Sequence, residues 1–272
     1  MVVRCPAKLN LFLSVGPRDA RGYHPIRTVF QAINLWDDLT LEVAETPSFS
    51  CNWEALPKEN TIMKALRLAN EITRVPPLKI ELKKRIPDQS GLGGGSSDAA
   101  GMLRALKQWD PGIGDAELRS VAKAVGMDVP FFLIGGTARA EGYGERLTAL
   151  PDSARRWFVI ARPEVGCSTS EMYRRLDELH YEWRGFPEDP SEVYNDFERV
   201  APCECLELIE TLRGHGALRT GLSGSGSAVF GVFGDQTHAQ RVCELVHDAR
   251  ACRCWVARSL DRAESIGSPS SL

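Results

Sequence analysis

The sequence predicts a mixed α/β protein of α+β, two-layer type in two domains, residues 1–152 and 153–272. Strand-like alternation and helical spacing are interleaved without the strict strand–helix alternation of a doubly wound sheet. No period of 20–50 residues repeats, which excludes a solenoid or propeller. Pro151 and the polar stretch around it interrupt the pattern mid-chain, where a domain boundary is expected.

Taken in order, residues 7–15 (AKLNLFLSV) form an apolar run that reads as a strand, closed by a turn at Gly16-Pro17-Arg18-Asp19. Residues 26–46 read as two strands broken at Trp36-Asp37-Asp38. Asn60 can cap a helix over 61–74, where Ile62, Ala65, Leu66 and Ala69 recur at helical spacing and Pro76-Pro77 stops the run. Residues 78–86 alternate apolar and polar side chains, as a half-buried strand does. A glycine-rich segment at 87–98 opens a helix running to about Trp109, and a further helix fits 115–125, ended by Gly126. Residues 129–134 are strongly apolar up to Gly135-Gly136. In the second half, strands are expected at 157–162, 228–233 and 252–258, and helices at 170–180, 203–213 and 236–248. A loop spans 185–190, a second glycine-serine segment spans 221–226, and the tail 266–272 is expected to fray.

Composition narrows the function. The chain of 272 residues carries 33 basic and 36 acidic residues, a net charge of -3, so it lacks the basic excess of a nucleic-acid binder. No apolar run approaches the ~20 residues of a membrane span, and Met1 leads into a short strand without a signal-peptide pattern. Eight cysteines are present, but Cys203-x-Cys205 and Cys252-x-Cys254 lack the two-residue spacers and histidine partners of zinc sites. Reduced thiols in a soluble, cytoplasmic protein are the expectation.

The most informative segment is 87–98, PDQSGLGGGSSD. Glycine admits positive φ and lets a ligand approach the backbone closely, and the helix that follows starts with unpaired N–H groups and a partial positive charge. Together these make a cradle for di- or triphosphate. The bland alternative is a flexible turn with Ser96 or Ser97 as an ordinary N-cap, but four glycines at a strand–helix junction are costly in chain entropy. The segment is neither a Walker A loop, lacking Gly-Lys-Ser/Thr, nor a Rossmann fingerprint, because Ser96 stands where the third glycine belongs.

Three segments then match one pattern in order: Pro6-Ala7-Lys8-Leu9-Asn10-Leu11, Gly91-Leu92-Gly93-Gly94-Gly95-Ser96-Ser97-Asp98-Ala99-Ala100, and Gly221-Leu222-Ser223-Gly224-Ser225-Gly226-Ser227-Ala228. This resembles the GHMP kinases. Arg21-Gly22-Tyr23-His24 and Gly126-Met127-Asp128-Val129-Pro130-Phe131 look like the members that act on a cytidine-diphosphate-linked methylerythritol in non-mevalonate isoprenoid synthesis. The resemblance, over about residues 5–258, implies transfer of a phosphoryl group from ATP, with Mg²⁺, to the 2-hydroxyl of that substrate, in a cleft between two domains. Lys8 and Asp128 would be catalytic. ATP would lie on Pro87, Gly91, Leu92, Gly93, Gly94, Gly95, Ser96 and Ser97. Asn10, Tyr23, His24, Tyr173, Ser223 and Gly224 would bind the acceptor, with the cytosine between Tyr23 and Tyr173. Read alone, Lys8 is a strand-edge lysine, Asp128 a turn aspartate and Tyr173 a half-buried helix residue.

The chain departs from the family at Asp88-Gln89-Ser90, where small residues are usual, and a carboxylate near a triphosphate is repulsive unless it points away. No metal ligand is assigned, and monomer and homodimer both stay open. Alternatives are another GHMP small-molecule kinase, such as homoserine or mevalonate kinase, and a silent ATP-binding member, which would be expected to lack Lys8 or Asp128.

Overall fold

Two long strands, β1 (Val2–Val15) and β2 (Ile26–Val43), run antiparallel and set the frame. The computed structural model describes residues 1–54, 56–57, 59–152, 154–249 and 252–267. Most of the tail expected to fray, 268–272, and the boundary residue Ser153 lie outside them. β3 (Ser48–Cys51), α1 (Thr61–Ala69), β4 (Leu78–Lys83), α2 (Gly94–Trp109), α3 (Asp115–Val125), α4 (Val129–Ile134), β5 (Thr137–Glu141) and β6 (Arg146–Ala149) follow. The sheet runs β3-β4-β2-β1, with β5 joining the other stretch of β2 and β6 pairing with β5.

β7 (Trp157–Pro163), α5 (Thr169–Asp177), β8 (Tyr194–Asn195), α6 (Cys203–Gly214), β9 (Arg219–Leu222), β10 (Val229–Phe233), α7 (Gln236–Ala249), β11 (Cys252–Arg258) and α8 (Arg262–Ser265) complete the order. β11-β7-β10-β9 form an antiparallel sheet, while β8 crosses to pair parallel with β1. Ala7, Leu9 and Leu11 of β1 pack against Phe158, Ile160 and Phe230 of the second sheet, so β1 is buried from Cys5 to Val15.

Two expectations are corrected. Residues 26–43 are one strand of 18 residues, not two broken at Asp37. Asp37 is fully buried and accepts from the amides of Arg85 and Ile86 and from Lys84 Nζ at 2.5 Å, so its polar group is satisfied by distant chain. Asn60 caps α1 by accepting from Ile62 N and Met63 N, but the helix ends at Ala69, where Asn70 turns its side chain to Val75 N. The apolar run 129–134 is the short helix α4, and none of the eight cysteines is paired in a disulfide.

Lys84 Nζ also meets the Asp98 carboxylate of α2 at 2.8 Å, so one nearly buried ammonium serves two buried carboxylates. Burial pushes the Asp98 carboxyl up, against the pull of Lys84 and with Asp37 adding to it. Burial lowers the Lys84 ammonium, but Asp98 and Asp37 outweigh it and leave the group raised. Lys84→Met leaves two uncompensated carboxylates inside and is expected to cost about 3–5 kcal/mol of stability. Asp98→Asn keeps one cation with one anion and should cost clearly less. Urea unfolding of both variants tests this, and equal losses would contradict it.

Candidate active site

Lys8 sits at the centre. A bulge at Leu11, where Asn10 faces Phe30 but Phe12 faces Val29, shifts the alternation of β1. As a result Lys8 and Asn10 before it and Leu13 after it line the same cavity. Lys8 is only 3% exposed, yet it donates to Asn10 Oδ1 at 2.6 Å and lies 3.6 Å from Asp128 Oδ2. Burial lowers the pKa of its ammonium, and Asp128 opposes that. Asp128 occupies the N-cap position of α4 but its side chain makes no cap hydrogen bond. A carboxylate that could have capped a helix instead faces a buried cation, which favours the charged form of the lysine.

The glycine loop lies between this cleft and a second cavity. Gly93, at φ +74°, is the N-cap of α2 and has no side chain to cap the first amides. The amides of Gly94, Gly95 and Ser96 are therefore the unpaired donors of the first turn. Gly91, Gly93, Gly94, Gly95 and Ser96, with Pro87, line a cavity of about 280 Å³. Leu92 and Ser97 do not: the Leu92 side chain is core, its carbonyl accepts from Lys8 N, and Ser97 is fully buried. Trp53, Leu56, Asn60 and Thr61 form the far side of this cavity. The sequence pointed to Asn60 only as a helix cap and to the other three not at all, although an aromatic inside a polar loop is itself a signal.

The departing triplet has a job in the backbone. Asp88 is exposed, and Ser90 is buried with its hydroxyl on Pro87 O. The Gln89 and Ser90 carbonyls accept from Ser227 N and Ala228 N, tying the first glycine loop to the second. At that seam a Cβ on Gly91, whose φ is +73°, would stand 1.9 Å from Ser223 O. Ser223 is buried and donates to Gly91 O, while Gly224 lines the cleft beside Asn10.

The cleft on the Lys8 side has a volume of about 980 Å³ and shares Gln89, Gly91 and Gly93 with the cavity beyond the loop. Tyr23, His24 and Tyr173 line it, and so do Tyr143 and Arg18, which the sequence reading did not single out. The expected pairing of aromatics differs in detail. The His24 ring stacks on Tyr173 at 5.0 Å, while the exposed Tyr23 stands edge-on to Tyr143 at 5.7 Å. His24 Nε2 faces Asp177 Oδ1 at 3.2 Å and Nδ1 faces Gly16 O at 3.0 Å. Burial, with the Asp128 charge added, pushes the Tyr173 phenol up to about 12.

The arrangement offers anion-binding amides on one side of a glycine wall and a cation–carboxylate pair on the other. The GHMP kinases N terminal domain matches residues 60–136, and the GHMP kinases C terminal domain matches 204–249. The chain is 37% identical to the 4-diphosphocytidyl-2-C-methyl-D-erythritol kinase of Symbiobacterium thermophilum, over 96% of this chain and 100% of that protein. It is 38% identical to the enzyme of the same name from Thermotoga maritima, over 84% and 90%. A crystal structure of 4-(cytidine 5'-diphospho)-2C-methyl-D-erythritol kinase superposes with a TM-score of 0.82 at 33% identity, covering 95% of this chain and 99% of that one. Homoserine kinase from Cytophaga hutchinsonii shares the fold, with a TM-score of 0.70 at 17% identity over 97% and 96%.

The contact between the glycine loops yields a direct test. Gly91→Ala must displace Ser223 and strain a left-handed residue, so it should lose about 2–4 kcal/mol of stability. Gly95→Ala meets only the Thr61 side chain, Oγ1 at 3.3 Å and Cγ2 at 3.8 Å, and should be nearly neutral by comparison. Thermal unfolding of the two variants decides it, and a Gly91→Ala protein as stable as Gly95→Ala would refute the seam.

Proposed function

The chain belongs to the GHMP kinases, within them to the 4-diphosphocytidyl-2-C-methyl-D-erythritol kinases, and from that premise we propose how its residues divide the reaction. The enzyme transfers the γ-phosphoryl group of ATP to the 2-hydroxyl of 4-diphosphocytidyl-2-C-methyl-D-erythritol, a step of non-mevalonate isoprenoid precursor synthesis. The single observation that carries the residue assignment is the buried Lys8 facing Asp128 across from the open start of α2.

Phosphoryl transfer depends mainly on positioning, charge neutralisation and a place for the alcohol proton. Asp128 accepts that proton, and Lys8 stabilises charge on the acceptor oxygen and the moving phosphoryl group. The amides at 94–96 and the helix dipole hold the triphosphate. The base lies against Trp53 and Leu56, in the cavity beyond the glycines. Mg²⁺ bound with the nucleotide would neutralise phosphate charge, held mostly by phosphate oxygens and water rather than by a dedicated protein cage. The half-buried Ser96 hydroxyl at the helix start is the protein oxygen suited to meet it.

The acceptor takes the larger cleft, with the cytosine edge at His24 and its ring against Tyr23 and Tyr173. Because His24 covers one face of Tyr173 in the free protein, the base enters by parting that stack. Asn10 and Gly224 border the acceptor near the reacting oxygen. We further propose that residues 1–152 carry the nucleotide, that 153–272 close the acceptor cleft, and that the enzyme works in the cytoplasm, where ATP is supplied. Among the described residues no helix is long and apolar enough to cross a membrane.

Asp128→Asn keeps the size of the side chain and removes the base, so kcat should fall about 10²–10⁴-fold while ATP affinity stays nearly intact. Steady-state kinetics with a separate nucleotide-binding titration check this, and near-normal turnover would take Asp128 out of the role. A second assay sets the cytidine-linked alcohol against mevalonate and homoserine, with ATP consumption as readout. Only the first should be turned over efficiently, and preference for either of the others would overturn the substrate assignment.

A further inference from the structure

A buried hydroxyl two hydrogen bonds removed from the lysine has no part in the reaction as described above. Thr28, on β2 and fully buried, donates from Oγ1 to the Phe12 carbonyl at 2.6 Å. A carbonyl oxygen can only accept, so the hydroxyl proton is committed to it and only lone pairs face the other way. The atom of Asn10 that stands 2.8 Å from Thr28 Oγ1 must therefore be the donor, Nδ2. That fixes the amide, because its other end, Oδ1, then points at Lys8 Nζ at 2.6 Å. An amide turned the other way would put an NH₂ group against an ammonium.

We infer that Thr28 is a positioning residue: its hydroxyl locks the Asn10 amide in the orientation that presents an acceptor to the catalytic Lys8. The inference rests on the role proposed for Lys8 and adds a residue that touches neither substrate.

The site gives the lock something to do. The charged group facing Lys8 is Asp128, from the turn before α4, at 3.6 Å. β2 contributes the Phe30 ring, 5.3 Å from Nζ, and the glycine loop contributes Gly93, neither of which titrates. Asn10 Oδ1 is the shorter of the two contacts that favour the ammonium. Burial already disfavours the charged form, so losing that acceptor makes Lys8 release its proton at lower pH.

The test is Thr28→Val, which replaces the hydroxyl with a methyl of similar size, alongside Thr28→Ser, which keeps the hydroxyl. Thr28→Val is expected to lower kcat about 10–100-fold, as for loss of a hydrogen bond to a charged group. The KM for ATP should be nearly unchanged, because the nucleotide lies beyond the glycine wall. The alkaline limb of the kcat–pH profile should move to lower pH in Thr28→Val and return in Thr28→Ser. Thr28→Ala makes the same deletion without the extra methyl and must show the same displaced limb if Thr28→Val folds poorly. A loss of turnover with an unmoved limb, or one that Thr28→Ser does not restore, would mark a packing role and overturn the inference. So would normal turnover of Thr28→Val in an enzyme that Lys8→Met inactivates. Normal turnover of Lys8→Met would be a different failure, since it removes the role of the lysine itself and the inference with it.

Discussion

Lys8 is a charge kept inside the fold, and the surrounding structure answers to that. Removing an ammonium from water costs several kcal/mol even after relaxation. Such a group persists only where acceptors meet it in good geometry. Here they are Asn10 Oδ1 at 2.6 Å and Asp128 Oδ2 at 3.6 Å, supplied by β1 itself and by the turn before α4. The carboxylate retains about a third of its exposure while the lysine retains almost none. That asymmetry suits the proposed roles: a base has to be reached by an alcohol, whereas a cation that steadies transferring charge works best fixed and poorly screened.

The glycines are the second consequence of that placement. The backbone of the loop comes close enough to Lys8 that a Cβ on Gly93 would stand 3.1 Å from Lys8 Cγ and 2.9 Å from the Phe132 ring. Side chains at 91 and 93 would hold the loops apart. Without them Gly91 and Gly93 present bare backbone to both cavities. The Asp37–Lys84–Asp98 cluster plays a different part. It anchors the end of β4 and the start of α2 to β2, holding the helix start in place. The exposed Asp88 adds its charge at the rim, where solvent weakens its repulsion of phosphate.

What was legible in the sequence was local. The glycine loop, Asn60 as a cap, the alternation of β4 and the Lys8 and Asp128 motifs each occupy a few consecutive residues whose chemistry declares itself. Asp37 shows where local reading stops: an aspartate after a tryptophan looks like a break, yet amides from 85 and 86 and the Lys84 ammonium let β2 run straight through it. Leu92 and Ser97 stand inside the phosphate motif but face the core, because a loop that wraps a ligand with its backbone must turn some side chains away.

By itself, the sequence determined the kinase family, and it singled out the glycine-rich helix entry and Lys8 and Asp128 as candidates, because those depend on residue type and short spacing. Tertiary structure decided which groups support them. Thr28 reaches Asn10 across a strand pair, Ser223 meets Gly91 from more than a hundred residues away, and His24 rests on Tyr173 of α5. A buried charge or a bare backbone is specified by its neighbours in space, and only the folded chain brings those neighbours together.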